Sequence, residues 1–478
     1  MLFNSLIFLF IFLPLSIVCY AILDLKLFGG GQYNSNKKQT ILNACLVAVS
    51  LGFFAWDNVG SVGILLSLVI FNYIAGMAWK ECRGVLLLGI FYDLSVLVKY
   101  KYLSLILSAF HVGKTEELLA PLGISFIIFH CISYLMDLYQ KKAEPEHNLI
   151  DFALYITFFP KLIQGPIVKY RDMKAEIKQR KQISLDSLAD GMGRFIIGLS
   201  KKVLIADILS QIVTDIFNLL SSWGMDVPTA WIGCLAYTVQ IYMDFSGYSD
   251  MAIGLGRIFG FHMQENFNFP YRSQSITEFW RRWHISLGNW FRDYLYIPLG
   301  GNRRGNVYIN LFLVFAATGI WHGAGILFLL WGIGHGLCVV IERRIQREVW
   351  YQKIPGILKW VMTMLIVSIG WLTFRLPNLE QMCLYLRYMF GAVSGAELGY
   401  LPFTWRYFCT PRFLTLMGIS AAGISILGNE KIQEWGKIRL ETSIPLNAVK
   451  YAFLLLLWCL CFITIVATEY NPFIYFQF

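Results

Sequence analysis

Stretches of mostly apolar residues, each long enough to cross a membrane, recur along this chain. A helix that spans the hydrocarbon core of a bilayer needs roughly 20 such residues. With 57% hydrophobic and only 15% charged residues, the chain has more apolar surface than one soluble core could bury. We therefore predict an all-α polytopic membrane protein. Its full spans begin near Leu2, Thr40, Val59, Gly84, Leu118, Met192, Thr229, Ile357, Arg412 and Val449.

A further apolar run, Val307 to Ile341, is too long for one untilted helix and contains Gly319, Gly323 and Gly325. We predict that it forms two shorter helices that meet near His322. The first run, Leu2 to Leu23, is too long for the apolar region of a cleaved signal peptide, so we expect it to stay as the first span.

Lys and Arg cluster in the segments that separate the apolar runs, among them 281–304 and 343–353. The positive-inside rule places these segments in the cytoplasm. The topology closes only if residues 150–168, which include Lys161 and Gln164, form a re-entrant or interfacial segment. Both termini then lie outside, and the orientation bias accounts for the net charge of +10.

Several classes of protein are excluded. The basic residues are not gathered on a soluble face with stacking aromatics, so no nucleic-acid partner is expected. The ten cysteines are scattered and show no zinc-ligand spacing, so we expect neither a disulfide framework nor a metal site. No repeat or linker divides the chain, and residues 1–478 are predicted to form one membrane domain.

Two Trp-His pairs stand out. Trp283-His284 lies in a charged amphipathic stretch, whereas Trp321-His322 lies within the long apolar run. An ionisable ring at membrane depth costs free energy unless it is paired or faces a polar cavity, so it is a functional candidate by default. His322 is therefore the first candidate for a catalytic residue.

Polar residues also interrupt the apolar run that begins near Thr229. Gln240 and Asp244 are four residues apart and so share one face of a helix, and Ser246 and Asp250 follow. These side chains either line a polar cavity or bond neighbouring helices. The sequence does not separate the two interpretations.

The segment after this run is rich in Trp, Tyr and Arg. Ser275 and Glu278 have the spacing of a helix-capping pair, and Arg281, Arg282 and Arg292 alternate with apolar rings in the helix expected to follow. That pattern is typical of a helix in the headgroup plane. The arginines either anchor it there or attract a phosphate-rich substrate.

Taken together, these motifs resemble membrane-bound O-acyltransferases, and within them the alginate O-acetylation type of bacterial polysaccharide acetyltransferase. The resemblance is carried by near-continuous motifs and is strongest over residues 120–345. They are Gln240-Ile-Tyr-Met-Asp-Phe-Ser-Gly-Tyr-Ser-Asp, Glu265-Asn-Phe-Asn, Glu278-Phe-Trp-Arg-Arg-Trp-His-Ile-Ser-Leu, Trp290-Phe-Arg-Asp-Tyr-Leu-Tyr-Ile-Pro-Leu-Gly-Gly-Asn-Arg and Trp321-His-Gly-Ala.

The resemblance implies a bundle of about 10–12 transmembrane helices with re-entrant and interfacial helices around a central tunnel. It also implies that His322 is catalytic and that His284 is a second important histidine. The donor would be a cytoplasmic thioester, acetyl-coenzyme A or an acyl carrier, with no bound cofactor. The acceptor would be an extracytoplasmic polysaccharide, reached through a membrane-anchored or periplasmic partner, in the cytoplasmic membrane of a bacterium.

The chemistry suits these residue types, because attack on a thioester needs an oxygen nucleophile whose proton a neutral imidazole can take. His322 would be that base or a transient acyl carrier, and His284 would orient the thioester or polarise its carbonyl. Residues expected to line the tunnel or contact the substrate are Gln240, Asp244, Ser246, Asn266, Trp283, Trp321 and His335. For His335, hydrogen bonding within packed helices is the alternative.

The aromatic C-terminal tail, residues 470–478, is predicted to lie outside the membrane. Tyr475 offers a hydroxyl that could relay the acyl group, although aromatic residues at a membrane interface usually only anchor it. Two other functions are kept as alternatives: a transporter or scaffold without chemistry of its own, and a protein like the teichoic-acid D-alanyl transferases. A transporter would be expected to show two related halves with matching broken helices, and only one broken region is evident.

Overall fold

The computed structural model describes residues 1–29, 35–80, 82–109, 120–323, 325–393, 401–434, 436 and 443–467. Within them the chain is helical and contains no strand, which confirms the predicted all-α class. The helices, in chain order, are α1 Leu13–Gly29, α2 Ser35–Ala55, α3 Val59–Ala78, α4 Gly84–Lys101, α5 Leu103–Ala109, α6 Ile124–Tyr139, α7 Leu149–Thr157, α8 Phe159–Leu162, α9 Tyr170–Lys178, α10 Leu185–Ser200, α11 Asp207–Ser222, α12 Val227–Ile258, α13 Ile276–Arg282, α14 Ile285–Phe291, α15 Val307–His322, α16 Ile326–Ile345, α17 Val349–Gln352, α18 Gly356–Trp371, α19 Leu379–Met389, α20 Trp405–Phe408, α21 Pro411–Leu427 and α22 Ile444–Ala467.

Seven helical segments in the described residues are long and apolar enough to cross a bilayer, so the protein is polytopic. They are Phe8–Leu25, Lys37–Ala55, Val59–Ala78, Leu185–Ser222, Ile326–Ile345, Gly356–Phe374 and Ile444–Ala467. The other predicted spans are also helical but differ in length or polarity. Helices α6 and α21 are shorter apolar helices, and α4 and α12 carry buried carboxylates, Asp93 and Asp244.

Contacts divide the chain into two compact units. The first comprises Met1–Ile197 and Tyr248–Glu265, and the second comprises Gly198–Gly247 and Asn266–Phe478. In the first unit, residues 150–168 form a broken segment rather than one helix. Helix α7 ends at Thr157, Phe158 leaves the helical conformation, and the short α8 follows. The run is therefore not one continuous helix, and its re-entrant or interfacial course stays a prediction.

A group of ion pairs, which we call the carboxylate clasp, joins α7, α9 and the preceding loop of the first unit. Lys178 Nζ lies 2.6 Å from Glu146 Oε1 and 2.9 Å from Asp151 Oδ2. Tyr170 OH donates to Glu146 Oε2 at 2.7 Å, and Asn43 Nδ2 donates to Asp151 Oδ1 at 2.6 Å. The clasp thereby ties α2 to the loop and to both helices.

In the second unit, α15 and α16 pack closely as a hairpin. The break that the glycines of the apolar run predicted lies between these two helices. A side-chain carbon at Gly319 would lie 2.5 Å from Phe328 O, and one at Gly332 would lie 2.5 Å from Phe315 O. Only hydrogen fits at these two positions. Because Gly323 and Gly325 are extended and end the helical hydrogen bonding, the apolar run turns back on itself beside His322. Of the two helices, α15 is short, but α16 is itself long enough to span a bilayer.

Candidate active site

His322 is the last residue of α15, at the turn of the hairpin. Its side chain is buried, and the rings of Trp331 and Phe374 meet it edge-on, each with a centroid distance of 5.0 Å. Trp321 packs beside it at 4.7 Å. The imidazole is thus held by ring packing at a helix end, where the last carbonyls of a helix carry partial negative charge.

His284 lies between α13 and α14 and has a left-handed backbone conformation, with φ 45° and ψ 54°. Non-glycine residues adopt this conformation rarely and at a cost in free energy. It splits what the sequence predicted as one amphipathic helix into two, so that prediction was wrong at this residue. The break turns the imidazole inward, and the residue is 2% exposed.

The hydrogen bonds around His284 determine its tautomer. Its Nδ1 lies 3.0 Å from Asn266 Oδ1, which also accepts from the Ser286 hydroxyl at 2.9 Å and from the Ser286 N–H at 3.2 Å. An amide oxygen only accepts hydrogen bonds, so Nδ1 must carry the proton. Burial lowers the pKa of His284 to about 3. The ring is therefore neutral near pH 7, and its unprotonated Nε2 can accept a hydrogen bond.

A continuous line of ring contacts joins the two imidazoles. Phe374 contacts Trp371 at 5.5 Å, and Trp371 contacts Trp283 at 4.6 Å. Phe245 then contacts Trp283 at 6.3 Å and His284 at 4.7 Å. We call the five rings Phe245, Trp283, Trp331, Trp371 and Phe374 the aromatic cluster, and the cluster with His284, Asn266, His322 and His335 the histidine site.

His335, on α16, belongs to the same site. Its ring packs against Trp280 at 5.3 Å and Trp331 at 5.2 Å. Its Nδ1 is buried and has no hydrogen-bond partner among the described residues, so the predicted alternative of a helix-to-helix hydrogen bond is not found for this atom. A side-chain carbon at Gly370 would lie 2.7 Å from its Nε2, which shows how closely α18 approaches the ring.

The polar residues of α12 divide between different roles. Gln240 and Ser246 are buried, and Gln240 Oε1 and Ser246 Oγ have no partner among the described residues. Asp244 instead pairs with Lys202 at 2.7 Å, and Lys202 also pairs with Asp207 at 2.7 Å. The first pair of residues fits the predicted polar lining, and Asp244 fits the bonding of neighbouring helices.

Lys202 is not among the site residues that the sequence predicted. Its signal was present, since Lys201-Lys202 interrupts a long apolar helix and intramembrane charges need partners. Asp250, in the first unit, pairs with Arg194, whose guanidinium lies 2.6 Å from the Asp250 carboxylate. This ion pair gives Asp250 a partner within the first unit.

The three arginines proposed as phosphate ligands differ in their surroundings. Arg282 pairs with Glu278 at 2.8 Å, and Arg292 pairs with Asp293 at 2.9 Å, while Arg281 is exposed. Ser275 caps α13 as predicted by accepting from the Glu278 N–H. Glu342 of α16 accepts from the N–H groups of Ile276 and Thr277 at the same end.

Two further predictions concern the C-terminal tail and a metal site. Tyr475 and the tail at 470–478 lie outside the described residues. Among the residues that are described, no group of three or more His, Cys, Asp or Glu side chains is arranged to hold a metal ion.

The family that this chain matches and three of its relatives are all named for acyl transfer. The family described as MBOAT, membrane-bound O-acyltransferase, matches residues 92–376. A Pseudomonas putida protein named "Probable alginate O-acetylase" is 38% identical over the whole of both chains. A Helicobacter pylori peptidoglycan O-acetyltransferase is 36% identical over 84% of this chain and 82% of its own. A Bacillus subtilis teichoic acid D-alanyltransferase is 31% identical over 50% of this chain and 62% of its own.

Proposed function

The chain belongs to the membrane-bound O-acyltransferase family and is an O-acyltransferase, and from that premise we propose that it O-acetylates a polysaccharide outside the cytoplasmic membrane of a bacterium. Acetyl would come from a cytoplasmic thioester, acetyl-coenzyme A, pass through the membrane and reach the sugar with the help of a partner protein. The relatives that match most of this chain are named for O-acetylation of alginate and peptidoglycan, which supports a sugar polymer as acceptor. The D-alanyltransferase match covers half of the chain and gives less support to that alternative.

One observation carries the proposal: two buried imidazoles, His284 and His322, lie on one aromatic cluster of the second unit. Acyl transfer needs a base that can take a hydroxyl proton near neutral pH, and imidazole is suited to that task. The surrounding rings exclude water, which otherwise would compete with the acceptor for the acetyl group.

In the proposed step, an acceptor hydroxyl attacks the thioester carbonyl carbon while His322 takes the hydroxyl proton. The new carbon–oxygen bond forms, the carbon–sulfur bond breaks, and the departing thiolate takes the proton from the His322 imidazolium, which returns to its neutral form. The tautomer of His284 narrows its role. Because Nδ1 holds the proton, Nε2 accepts a hydrogen bond and does not donate one. His284 therefore orients the donor by accepting from it, for example from an amide N–H, instead of polarising the carbonyl.

The test compares purified wild type with His322→Gln, reconstituted in lipid nanodiscs and supplied with acetyl-coenzyme A and an oligosaccharide acceptor. We expect thiol release to fall by about 100-fold or more, the usual contribution of a general base. His130→Gln is the matched control, because His130 is also a buried histidine but belongs to the first unit. Thermal unfolding of all three proteins checks that they are folded.

The result also separates an enzyme from a transporter. A transporter or scaffold would release no thiol in the purified system, so a wild-type preparation without thiol release would contradict the proposed function. Equal loss of activity in His322→Gln and His130→Gln would contradict the assignment of His322 alone.

A further inference from the structure

A basic pocket lies at the end of the α15–α16 hairpin that is opposite to His322. Its cavity of about 510 Å³ is lined by Arg343, Arg344 and Arg347 and, across from them, by the N-terminal residues of α15, including Asn306 and Tyr308. A volume of this size is within the range of small-molecule sites. All of these residues belong to the second unit.

The charge of this pocket is not balanced by acidic side chains. Arg343 hydrogen-bonds Asn302 Oδ1 at 3.0 Å, and none of the three arginines has a carboxylate within ion-pair distance among the described residues. The orientation bias of membrane proteins explains why arginines occur in this segment. The feature that matters is the opposite wall of the pocket: the end of α16 holds the three arginines against the N-terminus of α15, where the helix dipole also favours an anion.

A second cavity offers a contrast. It has about 580 Å³ and lies in the first unit, where Arg180, Lys181 and Arg257 are accompanied by Glu176 and Asp190. There the charges largely cancel, as expected of an ordinary solvated surface. Of these two cavities, the pocket of the second unit has the lining better suited to an anion.

The chemistry of the lining narrows the class of anion. Guanidinium groups bind phosphate oxygens through paired hydrogen bonds, and three of them suit a ligand with more than one phosphate. Tyr308 adds an aromatic ring that is 39% exposed and so can stack on a base. A ligand that carries both several phosphates and a base that can stack is a nucleotide.

Helix α13 begins at a residue beside the pocket and ends just before His284. Glu342, next to Arg343, holds the first N–H groups of α13, and the other end of α13 leads directly to Trp283 and His284. Helix α13 has seven residues, so about 10 Å of helix separates its two ends. A ligand at the arginines therefore lies beside the helix whose other end leads to His284.

We propose that this pocket binds the nucleotide phosphates of the thioester donor, that is, the adenosine-phosphate end of acetyl-coenzyme A. The inference rests on the proposed function and names the site of donor recognition. It replaces Arg281, Arg282 and Arg292 as the expected phosphate ligands. Arg343, Arg344 and Arg347 hold the phosphates, and Tyr308 stacks on the adenine.

The experiment measures kcat/KM for thiol release from two donors, acetyl-coenzyme A and S-acetylpantetheine, which carries the same thioester but no phosphate or adenine. The protein is the full chain in phosphatidylcholine nanodiscs. Wild type should prefer acetyl-coenzyme A, and the triple variant R343Q/R344Q/R347Q should reduce that preference by about tenfold or more. The matched control is R303Q/R304Q/K353Q, which removes the same charge from exposed residues of the second unit that do not line the pocket.

Tyr308→Leu tests the base-stacking part separately. It should reduce the preference for acetyl-coenzyme A over S-acetyl-4′-phosphopantetheine, which has a phosphate but no adenine. An unchanged preference in Tyr308→Leu would overturn the assignment of the adenine end.

Other outcomes overturn the phosphate site itself. If the control variant loses the preference as much as the pocket variant, the effect is general electrostatic attraction and the pocket is not the site. If the pocket variant differs from wild type only after an anionic lipid, phosphatidylglycerol, is added to the nanodiscs, the ligand is a lipid headgroup. If the variant retains the full preference while wild type turns over both donors, this inference fails and the proposed function stands. If wild type turns over neither donor, both fail.

Discussion

In the carboxylate clasp every carboxylate oxygen of Glu146 and Asp151 accepts a hydrogen bond. In the histidine site and on the adjoining part of α12, several buried polar atoms have no partner among the described residues. These atoms are Gln240 Oε1, Ser246 Oγ, Trp331 Nε1 and His335 Nδ1. Buried polar groups are nearly always satisfied where their role is structural, and exceptions concentrate at functional sites. We therefore expect changes in the clasp to alter stability first, and changes in the histidine site to alter activity first.

The largest effect on activity, apart from that of His322, should come from Asn266. Asn266→Leu removes the acceptor that fixes the proton on His284 Nδ1. Residues that orient metal-bound histidines in the same way contribute about 10- to 100-fold, and we expect an effect of similar size here. We expect thiol release to fall by about that factor, while the thermal unfolding temperature falls by only a few degrees. Unfolding and turnover are measured on the same preparation.

Asn266→Asp is the matched variant, because a carboxylate still accepts from Nδ1. It should keep most of the activity. Since a nearby negative charge favours the protonated imidazole, it raises the pKa of His284 above about 3. The acid side of the pH–rate profile should therefore move to higher pH. Equal inactivation by Leu and Asp would show that the tautomer of His284 does not matter.

The next effect concerns the packing that places His322. Gly332→Ala would put a carbon 2.5 Å from Phe315 O and 3.0 Å from Gly319 Cα, and overpacking of this kind costs ~1–3 kcal/mol. We expect a lower unfolding temperature together with a loss of turnover, because the hairpin must open at the helix that carries His322.

Gly334→Ala, two residues further along the same helix, provides the control. No atom lies within 4 Å of the added carbon, and alanine is a better helix former by up to ~1 kcal/mol. This variant should be as stable as wild type or slightly more stable. If both alanines behave alike, the close approach of α15 and α16 is not what holds His322.

A smaller effect is expected in the clasp, and it depends on pH. Burial alone would raise the pKa of Glu146, but hydrogen bonds from Lys178, the Asn148 N–H and Tyr170 outweigh it and keep the pKa below its ordinary value of 4.5. A carboxyl with a lowered pKa stabilises the fold above its unfolded-state pKa and loses that contribution as the pH falls through the folded-state value. Wild type should therefore lose thermal stability progressively below about pH 4.5.

Glu146→Gln should flatten this acid dependence while leaving the ratio of kcat/KM for different donors unchanged. Unfolding temperatures at a series of pH values measure it. An acid dependence as steep in the variant as in wild type would assign the loss of stability to other carboxylates.

The sequence predicted those parts of the fold that follow from local patterns. Apolar runs predicted the helices, and glycines predicted the break beside His322. Lys161 and Gln164 predicted the interrupted segment after α7. The features that it missed depend on residues distant in the chain or on backbone conformation. Asn266 meets His284 only because the chain folds back, and nothing in the pattern around His284 indicates a left-handed residue.

The partners of charged residues could not be predicted from the sequence either. A run of arginines can be counted in a sequence, but which of them already has a carboxylate partner is settled by the fold. Arg282 and Arg292 are paired, whereas Arg343, Arg344 and Arg347 surround a cavity. The burial of Lys202 is likewise explained only by the fold, which pairs it with Asp207 of its own helical segment and with Asp244 of α12.

The smallest effect is therefore expected at Arg282. Its guanidinium and the Glu278 carboxylate are four residues apart on α13 and partly exposed, and such pairs contribute only ~0.3–0.5 kcal/mol. Arg282→Gln should change the unfolding temperature little and should alter the KM for acetyl-coenzyme A by less than about twofold. Donor titrations with this variant beside R343Q/R344Q/R347Q measure the contrast. A KM that rises as much in Arg282→Gln as in the pocket variant would return the donor phosphates to α13, because an arginine engaged only in a helix ion pair has no reason to affect donor binding.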